Sequence, residues 1–197
     1  MMRERPGAVW VGADPGGADA FGLAILSTSG EVTTACVSCA DDAISLITSR
    51  PLGVGVDAPL WRSSGRSAER KADQWIRSTH KISSGTVQTA NSLRGAALVQ
   101  GVMFVSRLRE KFPGVLVTEA HPKAVTKALG GWNCPAISKL GSIVVMGEHE
   151  RDATMAAIAA REGFEGRWTR DLSLVRHSSE QDPKSYWLAP VSYFWPE

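Results

Sequence analysis

The stretch Ala8–Ser38, AVWVGADPGGADAFGLAILSTSGEVTTACVS, decides the fold. Its opening segment, Ala8–Asp14, is apolar up to its last residue, the pattern of a strand buried on both faces. Asp14 closes the segment, and Pro15-Gly16-Gly17 turns the chain at once. A second apolar run, Ala20–Ser27, passes through Ser29-Gly30 into a third, Glu31–Ser38. Strands joined by connections this short predict an antiparallel meander. Two later apolar runs, Val54–Asp57 and Val115–Glu119, extend the sheet, and each again ends on an acid.

Helices fill the intervals. Asp41-Asp42 offers an N-cap to a short helix over Ala43–Ser49. The basic stretch Trp61–Lys81 holds a helix from about Ser67 to Arg77, and Arg94–Lys111 carries Leu98, Val102, Val105 and Leu108 at helical spacing before Phe112-Pro113-Gly114 stops it. Lys123–Leu129 reads as a helix closed by Gly130-Gly131, and His149–Glu162 as a longer one with alanine at 153, 156, 157, 159 and 160. The expected architecture is α/β: a mixed five-stranded sheet, its first three strands antiparallel, flanked by helices. The 197 residues suit one domain with a core of its own, a helical insertion over about 61–111 and an aromatic tail over about 164–197 that packs back on it.

Composition narrows the partners. A net charge of +2 gives no global basic field, so any nucleic-acid contact rests on a local patch. No apolar run reaches the roughly 18 residues of a membrane span, and the N-terminus lacks the apolar core of a signal peptide. Three cysteines do not make a disulfide framework, and Cys36 and Cys39 read as small strand-end residues. The expected compartment is the reducing cytoplasm.

A carboxylate at the end of a buried strand is costly unless it is paired or binds a cation. Any one of them also serves as a turn former. Asp14, Asp57 and Glu119 make three such ends, and the carboxyl edge of an α/β sheet is where ligands bind. Asp152 is a fourth candidate. Met155 and Ala156, three and four residues on, lie on the packed side of its helix, although Asp152 also complements the helix dipole there. Clustered carboxylates repel, and hard oxygen ligands without a Cys or His set suit Mg2+ or Mn2+. The order of motifs Val56-Asp57-Ala58-Pro59-Leu60, Arg70-x-x-Asp73-x-x-x-Arg77, Glu119-Ala120-His121-Pro122, Ser138-Lys139-x-Gly141 and Arg151-Asp152-Ala153 resembles the DUF429 family of predicted ribonuclease H-like nucleases, from about Val9 to Ala160. The first motif, Asp14-Pro15-Gly16-Gly17, is closer to Holliday-junction-resolvase-like members of that fold.

The resemblance implies a ribonuclease H-like fold and an acidic catalytic site of Asp14, Asp57, Glu119 and Asp152; on the nuclease reading, Asp14, Glu119 and Asp152 are the expected metal ligands. It implies that Arg70, Asp73 and Arg77 lie over that site. Arg70, Arg77, His121 and Lys139 are the candidate substrate contacts, set against a solvated charged face, a salt-bridge ladder or a structural histidine. Trp61 and Trp75 read as core residues or as base-stacking platforms. Three functions stay open: a divalent-metal nuclease of DNA or RNA, an actin-like protein whose Asp14–Gly17 loop cradles nucleotide phosphate, and a binding module without turnover.

Overall fold

The computed structural model describes residues 7–66, 68–133, 135–138 and 147–197. Strand β1 (Val9–Asp14) pairs antiparallel with β2 (Phe21–Ser27), Val9 opposite Ser27 and Asp14 opposite Gly22. β3 (Val32–Val37) returns antiparallel along β2. On its other side β1 meets β4 (Gly53–Val56) in parallel, and β4 meets β5 (Val117–Glu119) in parallel. The sheet is therefore mixed and five-stranded, in the order β3-β2-β1-β4-β5. The sequence expectation of three antiparallel strands extended by two more holds.

Helices α1 (Ala40–Leu46) and α3 (Gly95–Lys111) pack against each other, and Phe104 of α3 meets Phe21 of β2 with ring centroids 5.5 Å apart. The segment between β4 and β5 also holds α2 (Lys71–His80). After β5 come α4 (Pro122–Ala128), the short α5 (Pro135–Ser138) and α6 (Glu148–Phe164). The α1 start differs from the reading of Asp41-Asp42 as its cap. The helix begins at Ala40, whose N–H donates to the Gln100 side chain of α3, and both aspartates fall in the first turn, where they still complement the dipole.

α6 lies across β1, β2 and β4, and it lies unusually close. A Cβ added at Gly12 would sit 1.8 Å from the Ala153 carbonyl oxygen, and one at Gly55 would sit 1.9 Å from that of Ala156. Glycine in the strands and alanine in the helix let backbone rest on backbone, so the apolar alternation of β1 and β4 is one-sided: Val11, Ala13, Val54 and Val56 fill the opposite face.

The tail is not loose. Ser192 bonds with β5 on both sides, donating to Val117 and accepting from Glu119, which covers that edge. Strand β6 (Arg170–Asp171) pairs with β7 (Phe194–Trp195), and Tyr193 and Trp195 are fully buried. The buried Glu180 carboxylate accepts from Lys71 N–H and His177 N–H and from the Trp61 indole, capping α2 from a distance. No described helix is long and apolar enough to cross a membrane. Cys36 and Cys39 are free thiols at and just beyond the end of β3.

Gly12→Ala should cost folding stability at the upper end of the about 1–3 kcal/mol typical of overpacking. Gly17→Ala, whose new Cβ meets nothing within 4 Å, should stay within about 0.5 kcal/mol of the parent. Urea unfolding midpoints measure both, and equal midpoints for the two variants would contradict the contact described.

Candidate active site

Parallel pairing places Ala13 opposite Val56, so Asp14 and Asp57 follow side by side at the carboxyl edge; the Asp57 N–H donates to the Ala13 carbonyl at 2.8 Å. Both continue the face of Gly12 and Gly55, toward α6. The first turn of α6 brings His149 onto that edge. Its Nδ1 lies 2.6 Å from Asp14 Oδ2, while 42% of the histidine side chain stays exposed. Asp152, one turn further along α6, is 1% exposed. Its Oδ2 is 3.7 Å from Lys123 Nζ, and among the described residues its Oδ1 accepts no hydrogen bond, with Arg151 Nε 3.8 Å away. Lys123, from α4, also pairs with Glu148 at 2.7 Å.

The electrostatics follow from this burial. Desolvation raises the Asp14 carboxyl above its ordinary value, more than the His149 hydrogen bond lowers it. Burial pushes Asp57 well up, and the neighbouring charges of Asp14 and Asp152 push it further. Asp152 is raised to about 6, by burial first and then by Asp14. Three carboxyls thus share one edge, and burial outweighs the positive charge that His149, Lys123 and Arg151 bring to them.

Glu119 departs from the sequence expectation. It pairs with Val56, not with Asp57, and this one-residue stagger turns its side chain to the other face. There Arg70 forks between two carboxylates, reaching Glu119 at 2.6 and 2.7 Å and Asp73 at 2.8 Å through each oxygen. The Leu60 N–H donates to Glu119 at 2.9 Å as well, so each oxygen of Glu119 already accepts a hydrogen bond and its position is set by Arg70 and Leu60. Burial still lifts its carboxyl above the usual range, against the lowering by Arg70. Arg70 is itself 3% exposed and lies over the Trp61 ring at 4.3 Å, so it is not the substrate contact anticipated from sequence.

Arg77 and His121 are likewise engaged internally. Arg77 pairs with Glu69 and donates to the Val87 carbonyl at 3.1 Å. His121 Nε2 donates to the Thr86 carbonyl at 2.9 Å, Lys127 bonds the Thr86 hydroxyl, and burial holds the imidazole below its ordinary pKa. These side chains pin the 83–89 loop. That loop and Asp14, Asp57, Glu119, His121 and Lys123 enclose a cavity of about 250 Å3. Lys139 and Gly141 lie outside the described residues. Trp61 is buried, and Trp75 is packed by His80, Trp195 and Arg170, so both serve the core.

Sequence reasoning missed His149 and Lys123. His149 was legible in principle, as a polar residue one helical turn before Asp152 on the same face. Among the described residues no group of three or more His, Cys, Asp or Glu side chains stands ready to hold a metal ion. No protein-family model, curated protein or solved structure matches the chain.

Arg70→Ala leaves two buried carboxylates without their cation and should destabilise the fold by about 3–5 kcal/mol, read as a lowered urea midpoint. Retained stability with weakened substrate binding would return Arg70 to the role of a surface contact. A second outcome concerns pH. Asp152 takes up its proton at about 6 when folded and at 3.8 when unfolded, so between these values the folded chain binds more protons. Stability therefore falls as pH rises from about 4 to about 6, by about 3 kcal/mol for this group. Metal-free denaturant titrations across that window should give a shallower slope for Asp152→Asn than for the parent.

Proposed function

We propose that the protein is a divalent-metal-dependent phosphodiesterase of nucleic acid, of the ribonuclease H-like class that its motifs resemble. The strand order β3-β2-β1-β4-β5, with β2 reversed and an acid at the end of β1, supports that fold assignment. The observation that carries the function is the buried Asp152 Oδ1, which accepts no hydrogen bond from the described residues, beside Asp14 and Asp57 with their carboxyls raised by burial and by neighbouring acids. An orphaned carboxylate oxygen within an under-compensated acidic cluster fits a hard cation.

Asp14, Asp57 and Asp152, which do not stand as a ready-made ligand set, would draw together around Mg2+ or Mn2+, with Glu119 held behind them by Arg70. A bound cation supplies neutralisation of the cluster and polarisation of water and phosphate. The other roles belong to the chain. Lys123, already beside Asp152, offers ammonium donors to a phosphoryl oxygen. Asp14 fixes the His149 ring through Nδ1, leaving Nε2 to pass a proton to the departing oxygen. The pinned 83–89 loop orients the substrate over the carboxyl edge.

Mn2+ or Mg2+ should support cleavage of DNA or RNA and EDTA should abolish it. Asp14→Asn and Asp152→Asn should each lower the rate by at least about 100-fold, the scale on which loss of one charge-stabilising group acts. Asp152→Asn should also abolish the Mn2+ binding isotherm measured by calorimetry. A wild-type chain that neither binds Mn2+ nor cleaves any strand in a broad panel would falsify the assignment.

A further inference from the structure

Across the Ala58–Trp61 segment from the carboxylates lies a second cavity, of about 320 Å3, within the range of small-ligand pockets. Pro59 lines both cavities. Leu60, Leu98 and Val102 supply apolar wall, Arg62 and Asn91 supply polar groups, and among the described residues no acid lines it. Its charge is thus the reverse of its neighbour's.

Trp187 belongs to this groove. Of the seven tryptophans it alone is exposed, at 67%; the others are buried or half-buried. The chain on either side of it is nonetheless anchored. Tyr186 meets it edge-on at 6.5 Å and bonds the Leu60 carbonyl through its hydroxyl. Arg109 donates to the carbonyls of Leu188, Ala189 and Pro190, anchoring the chain that follows. An indole carried on chain anchored on both sides, with its surface left to solvent, is available as a stacking platform.

We propose that this groove holds the unpaired base of a nucleotide adjoining the phosphate at the carboxylates, so that the substrate is a single-stranded nucleic acid. The inference rests on the nuclease reading for the phosphate, and on the groove alone for the base. Asp57 and Trp61 are four residues apart, so the chain between them spans at most about 14 Å, which keeps base and phosphate sites neighbours. Stacking on Trp187 supplies sequence-tolerant attraction, Asn91 a partner for a base edge, and Arg62 a phosphate contact. A paired base keeps both faces within its own duplex and offers none to the indole.

The test is binding of fluorescently labelled oligothymidylate, an abasic oligomer of equal length and a matching duplex, followed by anisotropy with Ca2+ as the cation. Trp187→Ala should weaken oligothymidylate binding by between about 5-fold and about 150-fold, the worth of one stacked base. Trp187→Phe should keep most of it, and Leu174→Ala, an exposed residue elsewhere in the tail, should change nothing. Binding of the abasic oligomer should not respond to Trp187→Ala. Unchanged oligothymidylate binding by Trp187→Ala, equal losses for the abasic oligomer, or no preference for the single strand over the duplex would each overturn the proposal. So would a shift in sedimentation of the Trp187→Ala chain alone with oligomer binding intact, which would make this face a protein contact. Trp187-dependent binding without any metal-dependent cleavage would count against the nuclease reading and uphold the base site, which stands on the groove alone.

Discussion

The contact between the backbone of α6 and the glycines of β1 and β4 governs the rest of the molecule. A helix normally rests on a sheet through a layer of side chains, and removing that layer brings the polar groups of its first turn down to the strand ends. Gly12 and Gly55 remove it on the sheet side, and Ala153, Ala156 and Ala157 on the helix side. His149 then reaches Asp14, and Asp152 comes within electrostatic range of both Asp14 and Asp57. The same contact that fixes the core therefore also assembles the acidic edge.

Two acidic arrangements sit on opposite faces of that edge, and they are handled differently. Glu119 and Asp73 share the Arg70 guanidinium in a dry setting where nearly every acceptor is matched. Such an ion network specifies geometry more than it adds stability, and it costs heavily only when one partner is lost. Asp152 has no such partner among the described residues: one oxygen lacks a hydrogen bond from them and Lys123 approaches the other only to 3.7 Å. Fold stability alone gives no reason to bury a carboxylate so poorly matched. A ligand that supplies positive charge does, which is why the deficit is informative.

The strands, their acidic ends, the long alanine-rich helix and Asp152 as an inward-facing residue were all legible in the sequence. Local periodicity carries that information, because one strand or helix reveals its buried face by its own pattern. Register does not. Whether Glu119 stands beside Asp57 or beside Val56 depends on pairing between segments some sixty residues apart, and a one-residue difference decides which face it serves. Arg70 was misread for a related reason. Its basic neighbourhood suggested a solvent-facing patch, whereas Asp73 one turn away and Glu119 across the sheet draw it inside. His121 and Arg77 point at a loop whose position no local pattern reveals.

The tail shows how far such remote packing reaches. Its Ser192 closes the open edge of β5, its Glu180 caps α2 and holds the Trp61 indole, and its Tyr186 bonds the Leu60 carbonyl. Trp61 and Leu60 immediately follow the Asp57-Ala58-Pro59 turn, and Leu60 donates its N–H to Glu119. The tail thus grips the chain segment that separates the acidic cavity from the apolar one. A change in the seating of residues 180–188 would move Pro59, the wall common to both cavities, and with it the relation between the site for charge and the site for an aromatic ring. The aromatic ending, which has no strand or helix pattern of its own, is in this way coupled to the carboxyl edge as closely as the strands are.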